Sequence, residues 1–174
     1  MRGIVLSLIV SFAGGPLATS ALAQKKPDPA LELYFAANAA YNRKRYPIAA
    51  GNYQKFLATY ASHEKAQLAR YGLGLSQFAL KQYDRAVNEF RTLLEAKQLE
   101  AKIERGRLTL LHAQCLLYSG KKDEAQARLI AAASNLKAGV HRTGATAAVA
   151  DLFFSKKDWA KTVVWARKVM AVQP

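Results

Sequence analysis

Cysteine is almost absent from the chain, since Cys115 is the only one among 174 residues. A single thiol cannot form an internal disulfide, so packing must stabilise the fold. The C-x2-C and H-E-x-x-H spacings of metal sites are also missing. His112 and Cys115 are three residues apart and could form a thiolate pair, but His112 falls at a core position and no orienting carboxylate is close in sequence. We therefore predict a structural role for both, and no catalytic residue, metal or cofactor.

Long apolar runs are also scarce, and one mostly apolar run lies near the N-terminus. The segment Ile4–Val10 follows the single basic residue Arg2, and a Gly-Gly-Pro turn interrupts the apolar stretch after it. Residues 21–23 (ALA) match an A-x-A cleavage site, so we predict a signal peptide over 1–23. An uncleaved membrane anchor is the alternative, which the interruption disfavours. No cysteine lies near the cleavage site, so we expect a periplasmic or secreted protein and not a lipoprotein.

Acidic residues are few. The chain has 26 Lys and Arg against 12 Asp and Glu, a net charge of +14. Removing residues 1–23 takes away Arg2 and no acid, which leaves +13. Such a field favours anionic partners, namely acidic proteins, lipid headgroups, anionic envelope polymers or nucleic acid. Because the chain is predicted to be exported, nucleic acid is not an expected partner.

Signals for β-strands are missing, and proline is nearly absent after the first 30 residues. Residues 24–30 (QKKPDPA) form a predicted linker, and beyond them only Pro47 and Pro174 occur. Asp28 followed by Pro29 is typical of a helix N-cap and first turn. Helix-forming residues dominate the rest of the chain, and no useful length alternates with a period of two. The sequence therefore predicts an all-α domain over 31–174.

An internal repeat decides the architecture. Ala49, Ala86 and Ala125 are 37 and 39 residues apart, and Thr162 follows 37 residues later in a weaker copy. Each is followed four and then seven positions later by further residues of the repeat, namely Tyr53 and Phe56, Phe90 and Leu93, Leu129 and Ala132, and Ala166 and Val169. Positions i, i+4 and i+7 lie on one helical face. The small residue allows a preceding helix to approach closely, so each repeat is predicted to be a pair of helices.

These motifs resemble the tetratricopeptide repeat (TPR) family, whose pattern is W-x2-L-G-x2-Y, then A-x3-F, then P. Leu73-Gly74 and Ala86-x3-Phe90 match it best, whereas Arg70 and Gln77 replace large aromatic residues. The long repeats are similar to those of bacterial envelope TPR proteins. The resemblance implies a right-handed α-solenoid of about four antiparallel helix pairs. It also implies a non-catalytic scaffold that binds a protein or peptide in the bacterial periplasm or cell envelope.

In TPR arrays the first helix of each pair lines a concave groove, and the resemblance assigns groove positions here. They are Tyr34, Asn38, Tyr41, Asn42, Tyr71, Leu75, Phe78, Arg107, Leu110, Gln114, Tyr118, Asp151 and Phe154. Aromatic rings with polar tips are typical of protein interfaces. The competing interpretation is that these aromatic residues are simply core. The family's peptide-carboxylate clamp is not predicted, because tyrosines stand where its lysine is expected.

Basic residues recur at the turn inside each repeat, and stacking should align them into a basic edge. They are Arg43, Lys44, Arg45, Lys81, Lys121, Lys122, Lys156 and Lys157. Cations at helix C-termini complement the macrodipole, which is the structural interpretation. The functional alternative is a binder of anionic envelope polymer or of a membrane surface.

The last predicted helix is apolar and no polar capping helix follows it. Solenoids normally end in such a cap. The domain is therefore expected to continue beyond this chain, as a docking region of a larger protein, or to be covered by a partner or by self-association through the uncapped C-terminal helix.

Overall fold

The computed structural model describes residues 28–172, and this range contains eight helices and no strand. The helices are α1 (Pro29–Asn42), α2 (Tyr46–Thr59), α3 (Ala66–Ala79), α4 (Tyr83–Leu94), α5 (Arg105–Tyr118), α6 (Lys122–Asn135), α7 (Val140–Ser155) and α8 (Trp159–Val172). Each packs against the next along the chain. The predicted all-α solenoid of four helix pairs is confirmed. The predicted signal peptide lies outside the described residues.

The first helix begins where the sequence predicts. Asp28 caps α1, because its side chain accepts a hydrogen bond of 2.9 Å from the backbone N–H of Ala30, and Pro29 occupies the first turn. None of the helices in 28–172 is long and apolar enough to cross a membrane.

The turn inside each repeat has one residue in the left-handed conformation. The residue is Lys44 (φ 57°), Lys81 (φ 60°), Gly120 (φ 82°) or Lys157 (φ 59°). In each turn the next backbone N–H bonds five residues back, as Arg45 does to Ala40 at 2.9 Å. This is the Schellman arrangement that usually selects glycine. The sequence placed these residues in turns but did not indicate that three lysines adopt this backbone conformation.

The repeat positions form the core. Ala49, Ala86 and Ala125 are fully buried, and so are the large residues Phe56 and Phe90 that follow on the same faces. The close approach of α3 and α4 also requires a glycine, because a Cβ on Gly74 would lie 2.5 Å from the Phe90 ring. The alanine repeat therefore sets the helix-to-helix distance, as the spacing predicts.

The fourth repeat is packed on one side only. Thr162 and Val169 are half-buried and Ala166 is exposed, whereas their equivalents in the earlier repeats are buried. Trp165 contacts the apolar cluster that joins α5, α6 and α7. The weak match of this repeat to the pattern thus accompanies a partly covered helix.

Candidate functional site

Two tyrosines and an arginine on the first helices of three repeats influence one another electrostatically. Burial raises the pKa of Tyr41 on α1, and the Arg107 guanidinium on α5 partly offsets the rise. Tyr71 on α3 has its pKa raised by burial in the same way, with the same offset from Arg107. Two half-buried phenols and an exposed guanidinium from α1, α3 and α5 therefore lie within electrostatic reach of one another. We call Tyr41, Tyr71 and Arg107 the groove centre.

Two predicted groove residues of α1 also support the core. The Tyr34 ring packs with its centroid 5.9 Å from that of Phe56 and 6.4 Å from that of Tyr53. The Tyr53 hydroxyl donates a hydrogen bond of 2.5 Å to the Asn38 side-chain oxygen, and burial raises the pKa of Tyr53. Asn38 therefore orients a buried tyrosine, in addition to any role at the surface.

Three other predicted groove residues lie at the turn edge. The Phe78 ring centroid is 5.7 Å from that of Tyr83, the first residue of α4, and Tyr118 stacks 4.9 Å from Tyr83. Phe154 packs in the same way against Trp159, the first residue of α8, at 5.4 Å. Tyr118 and Phe154 are about 60% exposed. These rings close the turns and reach solvent beside the basic edge.

The remaining predicted groove residues differ in exposure. Asn42 and Asp151 are exposed and Gln114 is half-buried, whereas Leu75 and Leu110 pack against the apolar clusters. Their assignment to a binding surface stays a prediction.

Two lysines of the basic edge form ion pairs with the preceding repeat. The Nζ atom of Lys121 lies 2.8 Å from Oδ1 of Asp84, and the Nζ atom of Lys156 lies 3.0 Å from Oδ1 of Asp123. The other six cations of the edge are exposed, with no ion pair to any residue of 28–172, and they are Arg43, Lys44, Arg45, Lys81, Lys122 and Lys157.

The histidine and the cysteine of α5 are core residues. His112 and Cys115 are both fully buried. Burial lowers the pKa of His112 to about 4 and raises that of Cys115 to about 12, so both are neutral at pH 7. A neutral, buried thiol is a poor nucleophile. No group of three potential metal ligands occurs within 28–172.

Sequence reasoning missed the ring pairs that close the turns. Tyr41 pairs with Tyr46 at 5.5 Å, as Phe78 pairs with Tyr83 and Phe154 with Trp159. In each case the two aromatic residues are five positions apart with the turn between them. This spacing is readable in the sequence and would have found them.

No protein-family model matches the chain, and no curated protein matches it. Solved structures are similar in fold. The MamA RS-1 ArsTM double mutant has a TM-score of 0.69 at 17% identity, over 84% of this chain and 76% of its own. A kinesin light chain of Podosopora anserina with TPR-like repeats has a TM-score of 0.69 at 16% identity, over 87% and 78%.

The apo form of RapI is also similar, with a TM-score of 0.68 at 14% identity, over 85% of this chain and 58% of RapI. At such identities the likeness concerns the fold. The chain is thus an α-solenoid of TPR-like repeats.

Proposed function

We propose that this chain is a non-catalytic scaffold that binds a segment of a partner protein on the face formed by its first helices. The observation that carries the proposal is the groove centre, where Tyr41 of α1, Tyr71 of α3 and Arg107 of α5 lie within electrostatic reach of one another. Tyrosine and arginine are, with tryptophan, the residues enriched at binding hot spots. Each combines an apolar body with a polar tip that can meet a backbone carbonyl or a carboxylate.

We propose also that the chain acts in the bacterial periplasm or cell envelope after loss of residues 1–23. The support is the sequence pattern around Ala21 and Ala23. Amino-terminal sequencing of the chain from a periplasmic fraction should then read from Gln24. Retention of the full chain in the cytoplasm would contradict export and would leave the groove proposal untouched.

The groove is tested with a matched pair of arginines. Arg107→Gln removes an exposed cation of the groove centre, and Arg85→Gln removes an exposed cation of α4, a second helix. Partners captured from envelope extract by the wild-type chain are identified, purified and titrated against both variants. We expect Arg107→Gln to weaken binding about tenfold, the loss of roughly 1.4 kcal/mol, while Arg85→Gln binds as the wild type does. Equal affinities for all three would refute the groove.

The basic edge supports a second function, the binding of an anionic envelope polymer or a membrane surface. The favouring observation is that Lys44, Lys81 and Lys157 occupy left-handed turn positions, where an L-residue costs about 1 kcal/mol relative to glycine. Tyr118, Phe154 and Trp159 flank turns of the basic edge in the sequence and are exposed, and exposed rings with cations are typical of membrane interfaces.

The contribution of these lysines to binding can be measured separately from their effect on stability. The triple variant Lys44→Gly, Lys81→Gly and Lys157→Gly should be more stable than the wild type, because glycine suits the conformation. If the edge binds polyanions, the same variant should sediment less with anionic vesicles or polymer at low salt. If the variant sediments with vesicles or polymer as much as the wild type does, the three lysines do not bind polyanions.

A further inference from the structure

The first helix exposes a face that is buried in α3 and covered at least in part in α5 and α7. Phe35 is 58% exposed, and Ala36 and Ala39 are exposed beside it. Their equivalents 37 residues later, Gly72, Leu73 and Ser76, are all buried. In α3 this face packs on α2, since a Cβ on Gly72 would overlap the Tyr53 ring. The face of α1 is thus built like one that receives a preceding second helix.

The last helix exposes the opposite half of the same interface. Val163 is 50% and Met170 is 67% exposed. Their equivalents 76 residues earlier are Val87, which is fully buried, and Leu94, which packs in the cluster joining α4 to α5. The face of α8 is thus built like one that receives a following first helix.

We propose that α1 of one copy of this chain docks on α8 of another, head to tail, and repeats the contact seen at α2–α3, α4–α5 and α6–α7. Residue sizes fit this pairing. Ala166 takes the position of Tyr53, and Phe35 takes the position of Gly72. At α2–α3 a large ring of the second helix meets a glycine, whereas between copies a large ring of the first helix would meet an alanine.

The charges of α1 and α8 favour this pairing over a symmetric contact between two α8 helices. The helix α8 carries Lys161, Arg167 and Lys168 and no acidic residue. The helix α1 carries Glu32 and its cap Asp28 and no basic residue. Lys161 is already paired at 2.7 Å with Asp158, the residue before α8. Two α8 helices face to face would therefore bring Arg167 and Lys168 of both copies together, whereas α1 on α8 sets acids against these cations.

A head-to-tail contact is heterologous, because each copy contributes its α1 face at one end and its α8 face at the other. Such contacts grow into open arrays or close into rings. The groove centre lies on other faces, so assembly would align successive grooves along the array rather than cover them.

The test disrupts the α1 face and the α8 face of the proposed contact in separate variants. Phe35→Asp places a charge on the α1 face and Val163→Asp places one on the α8 face, and both positions are exposed in the single chain. Ile48→Asp is the control, because Ile48 is an exposed residue of α2. The chain as it is isolated from cells is studied by analytical ultracentrifugation at concentrations from low micromolar to hundreds of micromolar.

We expect the wild type and Ile48→Asp to exceed the monomer mass increasingly with concentration, and each blocked variant alone to stay monomeric. Mixed in equal amounts, the two blocked variants should form a species of twice the monomer mass, because one intact α1 face and one intact α8 face remain. Circular dichroism confirms that each variant is folded.

Three results would overturn the proposal. They are a wild type that stays monomeric throughout, a mixture that stays monomeric, and a Phe35→Asp variant that still dimerises. The last would indicate symmetric pairing of α8. As a second readout, Phe35→Cys and Ala166→Cys on separate copies lacking Cys115 should crosslink under oxidation, and absence of the crosslink counts against the contact.

Discussion

Lys81 illustrates how a single backbone angle can oppose the identity of its side chain. Its φ of 60° lies in the left-handed region, where Gly120 serves the equivalent turn. We expect Lys81→Gly to raise the free energy of unfolding by about 1 kcal/mol and Gly120→Ala to lower it by a similar amount. Urea denaturation of the two variants measures both changes. A destabilised Lys81→Gly would mean that the lysine side chain makes contacts that outweigh the backbone strain.

His112 links stability to pH. Its folded pKa of about 4 is below the unfolded value of 6.5, because burial disfavours the charged ring. The unfolded state therefore binds the proton more readily, so this residue's contribution is complete above pH 6.5 and is lost as pH falls toward 4. The loss is on the order of 3 kcal/mol.

The variant His112→Leu isolates this effect. The other two histidines lie next to carboxylates, His63 at 3.5 Å from Asp28 and His141 at 2.9 Å from Glu104. These pairs are present in the wild type and in the variant, so they cancel in the comparison. The stability difference between the two proteins should shift in favour of His112→Leu as pH falls from 7 to 4. A difference that is constant over this range would contradict the buried neutral histidine.

The helices are held at a distance that the repeated alanines set. Ala86 is fully buried on α4, whereas Ala127 is exposed on α6. Ala86→Leu should lower the free energy of unfolding by roughly 1–3 kcal/mol through overpacking, and Ala127→Leu should change it by less than about 0.5 kcal/mol. Thermal and urea unfolding measure the two. Similar effects at both positions would mean that α3 and α4 are not closely packed.

Much of this helical layout is readable in the sequence because packing constraints recur with the repeat. Ala49, Ala86 and Ala125 had to be small wherever two helices approach, and their spacing therefore marks the helix pairs. The Asp28–Pro29 pair likewise indicates where the first helix begins. The left-handed lysines could not be predicted, because a lysine in a turn is compatible with several backbone conformations.

The candidate site was harder to predict than the helices. Whether a tyrosine faces a groove or a core depends on the angle between neighbouring helices, which the sequence pattern does not encode. Tyr34 therefore proves to pack on Phe56, and Phe154 on Trp159 at the turn. Burial raises the pKa of both Tyr41 and Tyr71, Arg107 on a third helix partly offsets the rise, and the sequence pattern gave no sign of this proximity.

The molecule as a whole is a short array in which each helix contacts mainly its sequence neighbours. In such arrays, interactions between neighbouring repeats supply much of the stability, and binding surfaces run across several repeats. Tyr41, Tyr71 and Arg107 come from three different repeats, so a partner held there would contact the array along its length. The exposed faces of α1 and α8 would let copies extend that surface.

Hydrogen exchange with a captured partner bound tests the central claim most directly. If the groove holds the partner, protection should increase in α1, α3 and α5, around Tyr41, Tyr71 and Arg107, while the second helices α2, α4 and α6 keep their exchange rates. Protection confined to the basic turns or to α8, with the first helices unchanged, would contradict a scaffold that binds through its first helices.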